Sequence, residues 1–228
     1  IYQSVDRDRV RFSRVLSGYL GEDTVGRINR MVAGAPERPI DVGYRAHPGA
    51  PWLGRHGMLK GRIGEEFARS APDHGLSTDI SMRDEDVQHG DDWFRFLAGC
   101  KYTIGIEGGA TVLDRDGVFK ERTERYLAEH PDAGYDEVEA NCFPGEDGKL
   151  ALMAISPRHL EACATGTCQV LVEGSYNGIL RPGDHYIELR ADLSNLEQVL
   201  ETMASDRERR RITEAAHRDI VASGRYGY

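Results

Sequence analysis

Apolar positions in the second half of the chain form short unbroken runs, separated by stretches with helical spacing. Leu150–Ile155 is six consecutive apolar residues, too short for a helix and suited to a buried strand. Ser156 comes next as a natural N-cap, and Pro157 as a first helical residue whose missing N–H would be unpaired there in any case. Gly166 supplies a C-terminal stop, and Gln169–Val172 reads as the next strand. Strand, short helix and strand predict the parallel unit of an α/β fold.

The same reading extends along the chain. Ile40–Arg45, Leu76–Ser81, Lys101–Ile106 and His185–Leu189 are further expected strands. Met58, Leu59, Ile63 and Phe67 recur at helical spacing until Pro72. Asp91 or Asp92 can cap a helix carrying Trp93, Phe94 and Leu97, with Gly99 as its stop. Phe119, Tyr126 and Leu127 mark another, ending near Pro131. Ser194 with Glu197, and Ser205 with Glu208, have the spacing of capping boxes. They open helices that bury Val199, Leu200 and Met203, then Ile212, Ala216 and Ile220, with a stop at Gly224. Residues 1–39 read as a basic, amphipathic helical extension ending in an Ala35–Pro39 linker. The expected organisation is an extension over 1–39, an α/β domain over 40–204 and a C-terminal helix over 205–228. Its fold class is α/β, a doubly wound and mostly parallel sheet.

Composition narrows the function. With 228 residues, 39% of them apolar, the chain can bury a full core. A net charge of −9 excludes a general nucleic-acid role, which needs a basic face, but leaves room for a local site on one small phosphorylated ligand. No apolar run approaches the roughly 20 residues of a membrane helix. Cys100, Cys142, Cys163 and Cys168 form no CxxC pair and are expected to be reduced packing residues in a cytoplasmic protein. The histidines show no HxxxH or HExxH spacing. Only four of the 29 basic residues are lysines, which points to a GC-rich, bacterial coding sequence. The chain opens at Ile1 rather than Met, and a piece of a longer protein is expected.

Candidate chemistry gathers at the helix after Ser156. Free N–H groups at its start and the Arg158 guanidinium would meet an anion. Glu161, about one turn deeper, could accept hydrogen bonds from sugar hydroxyls. His159 lies between them, with packing as its plain alternative. Glu107-Gly108-Gly109-Ala110-Thr111 follows a strand directly, as either a ligand loop or a tight turn. Trp52, Trp93 and Phe94 are expected in the core, and Arg207–Arg211 on a solvated helix face. The DxD at Asp114-Arg115-Asp116, just past the Gly108-Gly109 turn, also suits a plain turn.

The segment Ser156–Tyr226, which contains "SPRHLEACATG", "VLVEG" and "LRPGDHYIELRADLSNLEQVL", resembles the C-terminal, donor-binding half of GT-B glycosyltransferases. Within these it is most similar to the spore-maturation-like branch of family 1 glycosyltransferases, with a looser likeness over Ile40–Asp116. The resemblance implies transfer of a sugar from a nucleoside diphosphate sugar to an acceptor, with no tightly bound cofactor or metal. It places Glu161 on the donor ribose and Ser156, Pro157 and Arg158 near the diphosphate, with His159 counted among the donor-binding residues. Gly108, Gly109 and Thr111 become loop contacts to the donor, and Arg45 and Lys60 a basic pair for the leaving diphosphate. Two departures stand out: Met153 occupies the position of a second glutamate in many retaining relatives, and the acceptor-binding N-terminal half is largely missing. The alternative is a non-catalytic α/β interaction or regulatory module of the same fold. A nicotinamide-binding protein is disfavoured, since no GxGxxG opens a helix after the first strand.

Overall fold

The computed structural model describes residues 5–13, 15–34 and 37–227; residues 1–4 and 14, Ala35 and Pro36 of the expected linker, and Tyr228 lie outside it. Five parallel strands form the central sheet: β1 (Ile40–Arg45), β2 (Thr78–Ser81), β3 (Cys100–Gly105), β6 (Cys168–Val172) and β7 (Ile187–Leu189). Their spatial order is β2-β1-β3-β6-β7. Helix α2 (Arg55–Ser70) returns the chain outward from β1 to β2, whereas α3 (Asp91–Gly99) carries it back across β1 to β3. The winding therefore reverses between β1 and β3, which defines the switch-point crevice at the carboxyl ends of those strands.

Alternation along the strands supplies two cores. Val42 and Tyr44 of β1, Tyr102 and Ile104 of β3, and Val170 and Val172 of β6 pack with Ile63 and Phe67 of α2. Helix α7 (Leu196–Met203) adds Val199, Leu200 and Met203, and α8 (Asp206–Ala216) adds Ile212 to that layer. On the other face, Leu171 meets Leu160 and Cys163 of α6 (Pro157–Thr165), Phe94 of α3 and Ile28 of α1 (Glu22–Val32). The chain's beginning and end join this second layer, through Leu20 on one side and Ala216 and Ile220 on the other. Gly43 allows α3 and the start of β3 to approach β1, since a Cβ there would lie 2.9 Å from Phe96 Cζ and collide with Cys100 Sγ.

Several expectations are corrected. Leu150–Ile155 is not a strand of the parallel sheet; only Leu152–Ala154 (β5) is extended, antiparallel to Gly108–Ala110 (β4) in a separate two-stranded ribbon. The reason is topological: β3 already pairs directly with β6, Tyr102 opposite Cys168, so nothing fits between them. Helix α6 is still the parallel crossover the pattern predicts, but the strand that feeds it is β3. Residues 106–156 make an excursion off the carboxyl end of the sheet. That excursion holds α4 (Val118–Glu129) and α5 (Tyr135–Cys142), the latter unforeseen, around a small core of Val112, Val138, Cys142 and Phe143.

Residues 15–20 are not helical. Ser17 Oγ donates to the Ile155 carbonyl, Gly18 lies against Pro157, and Leu20 N–H donates to the Tyr226 carbonyl at 2.8 Å. These partners hold the backbone in an extended path. The first capping box does not form either. Asp192 takes the Ser194 N–H and Asn195 takes the Arg190 N–H, so α7 begins without a side-chain cap. In the second, Ser205 Oγ accepts the Glu208 N–H as expected.

Candidate functional site

At the switch point a cavity of about 190 Å³ opens between the sheet, α3 and α6. Sequence order scatters its lining, but topology gathers it. Strand β1 ends in Arg45 and leads to His47, α2 brings Lys60, α3 brings Trp93, β3 brings Thr103, and α6 brings Ser156, Arg158 and His159. Among the described residues that line it there is no carboxylate. In a chain with 38 acidic and 29 basic residues this is a local inversion of charge.

The cations differ in availability. The Arg45 guanidinium is committed at its two terminal nitrogens, with Nη2 2.8 Å from Asp79 Oδ1 and Nη1 donating to the Asp79 carbonyl. Its Cζ lies 4.3 Å from the Phe96 ring centroid, and its buried Nε has no hydrogen-bond partner among the described residues. Lys60 is half-buried, and its ammonium has neither a hydrogen-bond acceptor nor an ion pair among the described residues. Burial, and then the nearby Arg158 charge, hold its pKa below the ordinary lysine range. Arg158 Nη1 donates to the Arg45 carbonyl at 2.5 Å and its guanidinium lies 5.0 Å from the Trp93 ring centroid. Among the described residues no carboxylate oxygen pairs with it directly. Both cations therefore keep donors for a guest.

Ser156 caps α6, accepting the Arg158 N–H at 3.4 Å, and Pro157 packs on Gly18 outside the lining. His159 is wholly enclosed, its ring nitrogens each 3.1 Å from an acceptor, Gln169 Oε1 and the Ile106 carbonyl. Burial lowers its pKa to about 4, outweighing the pull of those acceptors and of Glu107. The neutral ring is a wall of the cavity, wedged under Gly105, where a Cβ would come within 3.2 Å of His159 Cε1.

Glu161 does not line the cavity: its Oε2 accepts the Trp93 indole N–H at 2.8 Å. Burial raises its pKa, against the downward pull of Trp93 and Arg158. Of the loop residues, Gly108 reaches the cavity, whereas Gly109 pairs with Met153 and Thr111 gives its hydroxyl to Asp147 at 2.5 Å. Asp114 of the DxD accepts the Lys120 N–H and so caps α4.

Two side chains take roles that the sequence did not assign to them. Trp93 packs against the core as expected, and it also bridges Arg158 and Glu161. Glu107 is 5% exposed, and its carboxylate accepts the Ser175 N–H at 3.0 Å, the Ser175 hydroxyl at 3.2 Å and the Tyr176 N–H at 2.7 Å. Such a turn, with Tyr176 and Asn177 at φ 42° and 56°, forms a concave nest of N–H groups that favours an anion. Asn177 Oδ1 then accepts the Ile155 N–H at 2.6 Å, one residue before the α6 cap. The only signal in the sequence was a lone carboxylate at the end of an apolar strand.

No protein-family model matches the chain, and no curated protein shows significant similarity to it. The site itself therefore has to carry any functional reading.

Proposed function

We propose that the chain is the donor-binding part of a glycosyltransferase and that the cavity receives the diphosphate of a nucleoside diphosphate sugar. The observation that carries this reading is the pair of cations, Lys60 and Arg158, facing one switch-point cavity whose described lining has no carboxylate. Unpaired cations beside a helix N-terminus are a complementary environment for phosphate oxygens. The cavity is smaller than the roughly 300–1,000 Å³ of sites that enclose a whole ligand of drug size. The diphosphate enters it, and the nucleoside and sugar extend along the carboxyl edge of the sheet. Positive charge at that spot would also stabilise the diphosphate as it leaves, the role a metal ion plays elsewhere. Glu161 enters this reading through Trp93, which it fixes beneath Arg158. Titration calorimetry with uridine, guanosine and adenosine diphosphates tests the proposal. Binding of at least one is expected, and no heat from any of them at millimolar concentration removes it.

A further inference from the structure

Helix α2 is poorly equipped to begin by itself. Its N-cap is Gly54, which has no side chain to offer, and its first turn holds no acidic residue but opens on Arg55. Gly57, Gly61 and Gly64 fall within its first ten residues, each weaker than alanine in a helix by roughly 1 kcal/mol. The missing cap comes from the excursion. Asp147 places its two carboxylate oxygens 3.4 and 3.3 Å from the Arg55 N–H. Thr111 Oγ1 holds the same carboxylate at 2.5 Å. The fit is close, since a Cβ on Gly54 would collide with Thr111 Oγ1 and lie 2.6 Å from Asp147 Oδ1. Burial pushes the Asp147 carboxyl up, but hydrogen bonds from Thr111 and the Arg55 N–H pull it further down, so it stays ionised at the helix start. Lys60 stands five residues beyond Arg55, about 7.5 Å along the axis.

We propose that Asp147 is a positioning residue: by capping α2 from outside, it sets the height and rotation at which Lys60 enters the cavity. Its functional meaning rests on the reading of that cavity as an anion site, but the capping does not. Competitive acetylation of the whole chain across the alkaline range, with the four lysines resolved by mass spectrometry, reads Lys60 without any ligand. Wild-type Lys60 is expected to lose its proton below the ordinary lysine range. Asp147→Ala should return it toward that range, whereas Asp147→Asn, which keeps a capping acceptor, should leave it in place. Should Asp147→Ala fail to fold, Thr111→Val removes the hydroxyl that anchors the carboxylate and is expected to move Lys60 less, in the same direction. A Lys60 profile unaltered in whichever of these two variants folds overturns the proposal.

A second arm uses inorganic pyrophosphate. Lys60→Ala should weaken its binding about tenfold or more. Asp147→Ala should weaken it too, but add nothing in the Lys60→Ala background; losses that simply add would show that Asp147 acts elsewhere. If the wild-type chain binds no pyrophosphate, the anion reading of the cavity falls, and the acetylation profile alone decides the role of Asp147.

Discussion

The most informative side chain in the cavity is the one with nothing to hold. Among the described residues the Lys60 ammonium lacks a partner, while burial and Arg158 work against its charge. Because it must be protonated to attract an anion, a lowered pKa means that attraction is lost at lower pH than for an ordinary lysine. Pyrophosphate affinity should therefore fall early on the alkaline side, and Lys60→Arg, which stays charged, should remove that fall. Equal alkaline slopes in the two proteins would rule it out. His159 shows the opposite fit of residue to place. Its folded pKa of about 4 lies well below the unfolded value near 6.5. Below about pH 6.5 the unfolded chain takes up a proton that the folded chain refuses until about pH 4, so stability falls across that window. The gap is worth roughly 3 kcal/mol at most. Denaturant titrations at intervals through the window should show this slope, shallower by one proton in His159→Gln. An identical slope in the variant would place the acid sensitivity elsewhere.

Among the elements, the turn after β6 is held by three hydrogen bonds to the buried Glu107 carboxylate. Gly174 has no space for a side chain, because a Cβ would lie 2.6 Å from Glu107 Oε2. Gly174→Ala should overpack the carboxylate against its three donors and cost about 1–3 kcal/mol, measured by urea unfolding. A change within about 0.5 kcal/mol would mean that Glu107 can move aside. Neither partner of this contact was legible in the sequence, because it joins residues 107 and 174 across two strands. What could be read was local. β1, α2, α3 and α6 follow from apolar spacing and from Ser156, Pro157 and Gly166 at the ends of α6. Arg45, Lys60, Gly108, Ser156, Arg158 and His159 do meet in one cavity. Pro157, Gly109, Thr111 and Glu161 do not line it, since neighbours distant in sequence (Gly18, Met153, Asp147 and Trp93) engage them first. The run at Leu150–Ile155 misleads because its apolarity serves a ribbon above the sheet rather than a place within it. Helix α5 was legible too: Tyr135, Val138 and Cys142 carry the helical spacing that turns them onto Phe143.

For the molecule as a whole, charge is distributed against the average. A net charge of −9 surrounds a crevice whose own lining is cationic. If that lining neutralises the ligand's phosphates, a divalent ion is unnecessary there. Nucleoside diphosphate affinity should then be the same in excess chelator as with magnesium or manganese. A gain of about tenfold with metal, lost when Asp114 and Asp116 are changed to Asn, would show that the acidic pair and not the crevice handles the diphosphate.

The ribbon that lifts residues 106–156 off the sheet has one more consequence. Gly108 pairs with Ala154, so the chain departs and returns through adjacent strands, and the rest of its hold on the frame runs through the segment that opens α2. A stretch tethered in this way behaves as a cassette. Its length can change at little entropic cost to the sheet, because closing a somewhat longer or shorter loop between fixed ends alters the free energy only logarithmically. The parts of the cassette that cannot vary freely are those that hold Leu53, Gly54 and Arg55, namely Thr111, Tyr135, Asp136 and Asp147. Across related sequences, insertions and deletions should therefore gather in the turns on either side of α4, while an acidic residue persists at the position of Asp147.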